Sequence, residues 1–387
     1  MSSRVPINPG ILTWARERAS LSIGSLAKKY PKLLDWEMGQ EQPTLRQLEQ
    51  FAKTVHVPIG YLFLSQPIQE VLPISDFRTL ADREVARPSP NLLDTLYLCQ
   101  QRQDWYSDHV RMYGLPTLTF IGSATLSEDP VGVANRMCDT TRLALSERQQ
   151  LPNWTEALRQ MIARVEESGI LVMASSIVGS NSHRKLAVEE FRGFALADQW
   201  APLIFLNAAD SKSAQMFTLA HELAHLWLGE SGISNTEAGR LPEQQIERWC
   251  NSVAAELLMP LSATLEAYQP DQTLSDELMR LARLFKVSTL VVLRRLFDAG
   301  FFSEIELWQH YHVELARIRS LERGGGGGDF YRTLGARTGK RFARAVLAST
   351  LEGQTLFQDA FRLLGVKKTA TFYQAARELE VLHDLPA

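Results

Sequence analysis

The stretch MFTLAHELAHLWLG, Met216 to Gly229, puts two histidines four residues apart with a glutamate directly after the first. With eight histidines in 387 residues, the number of accidental H-E-x-x-H matches is on the order of 0.01. The spacing calls for a helix. Four residues turn an α-helix through about 400°, so His221 and His225 project within about 40° of each other, one turn apart. Two imidazoles can then take two corners of one tetrahedron, and Glu222, about 100° round the helix, can reach a water on a metal rather than the metal itself. Zn²⁺ brings the pKa of bound water down to roughly 7, and a carboxylate alongside can accept its proton during attack on a carbonyl. Met216, Leu219, Leu223 and Leu226 recur at three- and four-residue spacing and Gly229 offers a stop, so the predicted helix is a buried one.

A catalytic zinc typically takes three protein ligands and leaves the fourth position for water. The segment PEQQIERWCNSVAAELLMP offers Glu243, Glu247 and Glu256. Glu247 and Glu256 are nine residues apart, half a turn out of phase, so both cannot face one site. Glu247 lies at the edge of the apolar stripe Ile246, Cys250, Val253, Ala254 and Leu257. Asn251, one turn on, shares its face and can hold Glu247 or a histidine in place by a hydrogen bond. Glu256 reads as a solvated helix residue. Two histidines and a carboxylate favour Zn²⁺ and also accept Mn²⁺ or Fe²⁺.

The chain is long enough for two or three domains. Residues 11 to 64 read as a small helical unit, with Leu45, Leu48, Phe51 and Ala52 on one face of a helix that closes before Pro58. A proline-spaced connector and more helices follow. From Trp154 a helix hands over to the strand-like ILVMA, then FRGFALA and APLIFLNA, and then the histidine helix. APLIFLNA is also a candidate edge along which a peptide substrate adds. Five glycines, Gly324 to Gly328, mark a hinge. The expected boundaries are 1–70, 71–150, 151–323 and 329–387, and the expected class is α+β, mostly helical, with a small β-sheet.

No apolar run approaches the roughly 20 residues needed to span a bilayer, and the start MSSRVPINPG has no signal-peptide core, so the chain reads as cytoplasmic with no membrane partner. Cys99, Cys138 and Cys250 are odd in number and at no metal-like spacing, which argues for small buried residues rather than a disulfide framework. A net charge of −3 gives no global pull toward nucleic acid. Residues 1–60 carry eight cations against five anions, and residues 329–387 nine against six, each a net of +3. Lys28, Lys29 and Lys32 near one end, and Lys367 and Lys368 in a helix-turn-helix-like hairpin near the other, are the candidate phosphate contacts. An ordinary helical hairpin with a solvated basic face fits the second case equally. His183, in a polar loop, is a candidate oxyanion partner, or a solvated loop residue.

FRGFALADQWAPLIFLNAADSKSAQMFTLAHELAHLWLG followed by IERWCNSVAAELLMP resembles the ImmA/IrrE metallopeptidases over roughly Trp154 to Phe301. The resemblance implies a gluzincin-like domain with His221, His225 and Glu247 as zinc ligands and Glu222 as general base. It also implies cleavage of a protein regulator. L-A-K-K, W-E-M-G, P-T-L-R-Q-L and V-P-I-G-Y-L-F resemble the Xre helix-turn-helix that often precedes such domains, implying transcription regulation through operator DNA. Here Ala27 and Glu37 are ten apart where that pattern has about 14, the shortfall falling at the turn and the start of the recognition helix. The alternative for this unit is a helical domain that packs on the peptidase or on a partner. Proteins that look like this are often encoded beside toxins. The alternative function is therefore an antitoxin or regulator of a toxin-antitoxin or phage-related system, neutralising a cognate toxin by contact rather than by hydrolysis.

Overall fold

The computed structural model describes residues 4–19, 21–68, 70, 72–77, 88–234, 244–321 and 330–382, with the side chains of 319–321 and 330–333 outside the description. Glu243 and the glycine run Gly324 to Gly328 lie outside the described residues. The chain divides into two compact units, residues 1–73 with 82–95, and residues 74–81 with 96–387.

The first unit holds α1 (Pro9–Arg18), α2 (Ile23–Leu26), α3 (Leu33–Glu37), α4 (Leu45–Val55) and a 3₁₀ turn over Ile59–Phe63. Local chemistry starts these helices: Asn8 caps α1 ahead of Pro9, Ser22 caps α2, and Thr44 with Gln47 forms a capping box on α4. Ile11, Leu12, Leu33, Trp36, Leu48 and Phe51 make its core. Leu45, read as part of the apolar face of α4, is instead exposed. The segment in the place of a recognition helix is α3, whose five residues extend only about 7.5 Å. It carries no cation of its own, and its Glu37 is held by Arg16 at 2.7 and 3.0 Å. Lys29 donates to Thr54 Oγ1 at 2.8 Å and Lys32 pairs with Glu41, while Lys28 is exposed.

The second unit begins with β1 (Ser75–Asp76). The long helix α5 (Pro90–Met112) belongs to it from Leu96 onward. Then come α6 (Pro130–Thr141), α7 (Leu145–Gln149), α8 (Trp154–Glu167), β2 (Leu171–Ser175), a hairpin of β3 (Ile177–Val178) and β4 (Asn181–Lys185), β5 (Gly193–Leu196) and β6 (Leu203–Asn207). After these run α9 (Lys212–Leu228), β7 (Gly232–Ser234), α10 (Gln245–Leu258), α11 (Leu261–Ala267), α12 (Leu274–Phe285), α13 (Thr289–Asp298) and α14 (Glu304–Leu321). The last four are α15 (Phe330–Thr338), α16 (Lys340–Leu351), α17 (Phe357–Leu364) and α18 (Thr369–Glu378).

Five strands form one sheet in the order β1-β7-β5-β6-β2, with β2 parallel to β6, β5 antiparallel to both neighbours, and β1 parallel to β7. The sheet is mixed and small, and apart from it and the β3–β4 hairpin the described elements of this unit are helices. The strand read as a peptide-capturing edge, β6, lies between β5 and β2, so its backbone groups are already paired and the edge assignment is corrected. Helix α9 packs on β5, β6, α8 and α10. Ser211 caps its start, Gly229 ends it in the left-handed region, and every residue from Gln215 to Trp227 is buried. A helix buried all round is a core element, and α9 threads the middle of this unit.

Residues 329–387, expected as a module of their own, fall in the same compact unit as the sheet. The cause is β2, apolar over its first four residues and buried along its length. Such a strand needs cover on both faces, and α15 and α16 pack against it together with α8. Arg102 of α5 ties the last helices down by donating to the carbonyls of Leu363 at 3.0 Å and Arg337 at 3.1 Å. Helices α17 and α18 do turn at Gly365 as the hairpin reading has it, with Lys367 and Lys368 exposed. Residues 71–150 likewise split, β1 and α6 joining the sheet unit. No described helix is long and apolar enough to cross a membrane. Cys99 and Cys250 are buried and Cys138 partly so, and burial pushes the Cys99 thiol up to about 12.

Candidate metal centre

Helix α9 delivers His221 and His225 from one face, one turn apart, and α10, packed along it, delivers Glu247. All three are buried. Nε2 of His225 lies 3.1 Å from Nε2 of His221 and 2.9 Å from Oε1 of Glu247, and Nε2 of His221 lies 3.3 Å from Glu247 Oε2. A tetrahedral ion with bonds of 2.0–2.1 Å has ligand–ligand edges of about 3.3 Å. The three donors therefore already stand at nearly the separations one Zn²⁺ would impose. Two imidazole nitrogens facing each other in a dry interior repel unless a proton or a cation lies between them. Among the described residues, these three form the one cluster of histidine, cysteine and acidic side chains with ligand geometry.

The electrostatics suit a cation. Burial pulls His225 down, against the hydrogen bond from Glu247, so it is neutral and its nitrogen can coordinate. Burial pushes Glu247 up, but the charge and hydrogen bonds that His221, and then His225, present when protonated outweigh it and hold the carboxyl at about 2, a positive partner that a bound cation would replace. Asn251 stands one turn beyond Glu247, and its Oδ1 is 3.0 Å from His221 Nδ1. That bond puts the proton on Nδ1 and leaves Nε2 free to face the centre.

Glu222 is the unbalanced group. It is completely buried, and neither carboxyl oxygen makes a full hydrogen bond, the Ser234 hydroxyl offering only a loose one that lowers its pKa slightly against the burial. Burial, then the nearby charge of Glu247, push its carboxyl well above the usual range. A divalent cation on the three donors offsets both causes. The strand beneath it is adapted to this side chain: a Cβ on Gly193 would come within 3.2 Å of Glu222 Oε1 and 2.5 Å of Thr218 Cγ2. An orphaned buried carboxylate beside a histidine-histidine-carboxylate set fits a bound metal with a polarised water between them.

Two residues at the centre are not visible as such in the sequence. Ser234, on β7, places its Oγ 3.4 Å from His225 Nε2. Phe77, just after β1, stacks on the His225 imidazole with centroids 5.2 Å apart and planes 10° off parallel. The only local signal for either is a short Gly/Ser-bounded stretch, too brief for strand periodicity. The structure does not bring His183 among the buried donors: it is exposed on β4, in the separate two-stranded hairpin. Glu256, read as solvated, is nearly buried and paired with Arg295, accepting also from Leu261 N at 3.3 Å. Lys28, Lys29, Lys32, Lys367 and Lys368 take no part in this centre.

Comparison with known proteins matches residues 338–378 to a family described only as a domain of unknown function. Residues 165–297, which include every donor above, match the IrrE N-terminal-like domain of the M78 peptidases. A stretch of 99 residues is 36% identical to the radiation response metalloprotease IrrE of Deinococcus radiodurans, covering 24% of this chain and 30% of that protein. The chain thus matches less than a third of that relative's length. These similarities support the ImmA/IrrE family and a metallopeptidase type of function for the segment that builds the centre.

Proposed function

We propose that this protein is a zinc-dependent metallo-endopeptidase that holds its metal on His221, His225 and Glu247 and acts on a protein regulator. The observation that carries the reading is the meeting of three buried donors at tetrahedral spacing with the unpaired carboxylate of Glu222. When bound, Zn²⁺ polarises a substrate carbonyl and acidifies water. The chain's own groups do the rest. Glu222 accepts the proton of the attacking water on a carboxylate oxygen and then hands it to the leaving amine. Asn251 fixes the ring of His221, and the apolar packing of α9 excludes bulk water from the proton transfer. Mn²⁺ or Fe²⁺ in place of Zn²⁺ suits the same donors.

The regulator as substrate rests on the resemblance to the ImmA/IrrE group and on the name of the relative, a metalloprotease of the radiation response. The test is the Glu222→Gln variant, co-expressed with the product of the adjacent gene. It should keep about one zinc per chain, by elemental analysis, and lose all cleavage. Cleavage that persists ends the proposal. A partner still neutralised by both Glu222→Gln and His221→Ala assigns the function to binding instead, as for an antitoxin.

A further inference from the structure

The segment similar to the M78 peptidases, residues 165–297, supplies β7, β5, β6 and β2 of the sheet. The fifth strand, β1, comes from residues 75–76, far upstream, and lies on the outer side of β7. Without it β7 would be the sheet's edge, and β7 is the strand that brings Ser234 to His225. An open edge beside a peptidase centre is a place where an extended peptide adds as a further strand.

Something already sits there. Ser75 pairs with Gly232 and Asp76 with Ile233, and Phe77 N donates to Ile233 O at 3.0 Å. Alternate residues of a strand share a face, so Gly232 lies on the same face as Ser234, toward α9. Gly232 lacks the side chain that would block this face. A Cβ there would come within 2.1 Å of the Phe77 ring, which fills the space and stacks on His225. The ring lies against one of the proposed ligands, with its backbone on the edge strand: the pose of a bound peptide.

We propose that β7 is a docking edge for an extended peptide bearing an aromatic side chain, and that the chain's own Ser75–Phe77 segment occupies it in the resting state. The inference rests on the metallopeptidase reading for what the docked peptide is used for, not for the docking itself. The segment is short, a two-residue strand with one following hydrogen bond and a stacked ring, and a strand of that length is of the kind that local opening releases. A free peptide must still compete with a tethered one at millimolar effective concentration. The resting chain is therefore latent, and a substrate or partner that withdraws the segment opens the centre.

Two readouts on the full-length protein test this. The first is the rate at which 1,10-phenanthroline strips zinc from the loaded protein. The second is binding of a fluorescein-labelled peptide of residues 72–77, by anisotropy, to the metal-free protein. Phe77→Ala should speed zinc release and tighten peptide binding, each at least about 10-fold, and Phe77→Tyr should restore the slow release. Gly232→Ala expels the ring but also fills its place, so release should speed up while the peptide stays unbound. Unchanged peptide affinity in Phe77→Ala, or equal peptide binding by Gly232→Ala and Phe77→Ala, overturns the proposal. A protein that takes up no zinc defeats the metallopeptidase reading alone, since the peptide measurement needs no metal.

Discussion

Asn251 Oδ1 stands 3.0 Å from His221 Nδ1, one helical turn from Glu247 on the same face of α10. One helix thus supplies both a donor for the metal and the group that orients a donor on the neighbouring helix. Removing such a partner typically costs 10–100-fold in metal affinity. Asn251→Ala should therefore weaken zinc binding by about 10–100-fold in a competitive chelator titration while leaving the far-ultraviolet circular dichroism unchanged. An affinity equal to wild type would show that His221 is oriented by packing alone.

Gly193 of β5 lies where the sheet and α9 come close together. A methyl group there meets Thr218 Cγ2 at 2.5 Å, Phe205 O at 2.9 Å and Glu222 Oε1 at 3.2 Å. Gly193→Ala should lower stability by about 2 kcal/mol through overpacking and abolish cleavage, because α9 must shift and carries Glu222 with it. Urea unfolding and a cleavage assay check the two effects together.

Glu256 and Arg295 join α10 to α13 in a nearly dry pair, with Arg295 also donating to Met259 O at 2.8 Å. Truncating Glu256 removes the strongest partner of Arg295 and leaves it Asp298 at 3.4 Å and the Met259 carbonyl, so Glu256→Ala should cost about 2 kcal/mol. The double variant Glu256→Ala/Arg295→Met should lose less than the sum of the single changes. Additive losses in urea unfolding would mean the two side chains act independently.

Glu166 lies in the last turn of α8, and its Oε1 accepts from Arg341 N at 3.1 Å at the start of α16. Burial pushes its carboxyl from an ordinary 4.5 up to about 7, against the pull of Lys340 and Arg341. Between those values the unfolded chain releases the proton and the folded chain keeps it, so this group's contribution to stability falls as pH rises through the window and is flat above it. Glu166→Gln keeps the acceptor without the titration. It should match wild type near pH 4 and exceed it by up to about 3 kcal/mol above pH 8. Parallel stability curves for the two proteins across that range would refute the assignment.

Part of this architecture is legible in the chain itself. The three apolar strands now numbered β2, β5 and β6 read directly, because four or five consecutive apolar residues bounded by glycine, proline or polar breaks leave few options. The strands β1 and β7 do not, since two or three residues carry no periodicity. The place of α15–α18 was equally hidden: a run of glycines suggests separation, whereas the need to cover β2 decides packing. Glu256 misled because its charge and helical phase describe an exposed residue until Arg295 arrives from another helix.

The sequence by itself determined the pairing of His221 with His225 and the place of Glu222 beside them, since helical geometry leaves four-residue spacing no other outcome. It also narrowed the third donor to one helix. Only the tertiary structure decided that Glu247 comes within 3.3 Å of both histidines, that Glu222 is buried without a full hydrogen bond, and that Phe77 lies on His225. Those facts depend on the packing of α10 against α9 and on the pairing of β1 with β7, which sets Phe77 on His225. Such contacts join residues far apart in the chain, where no local period can register them.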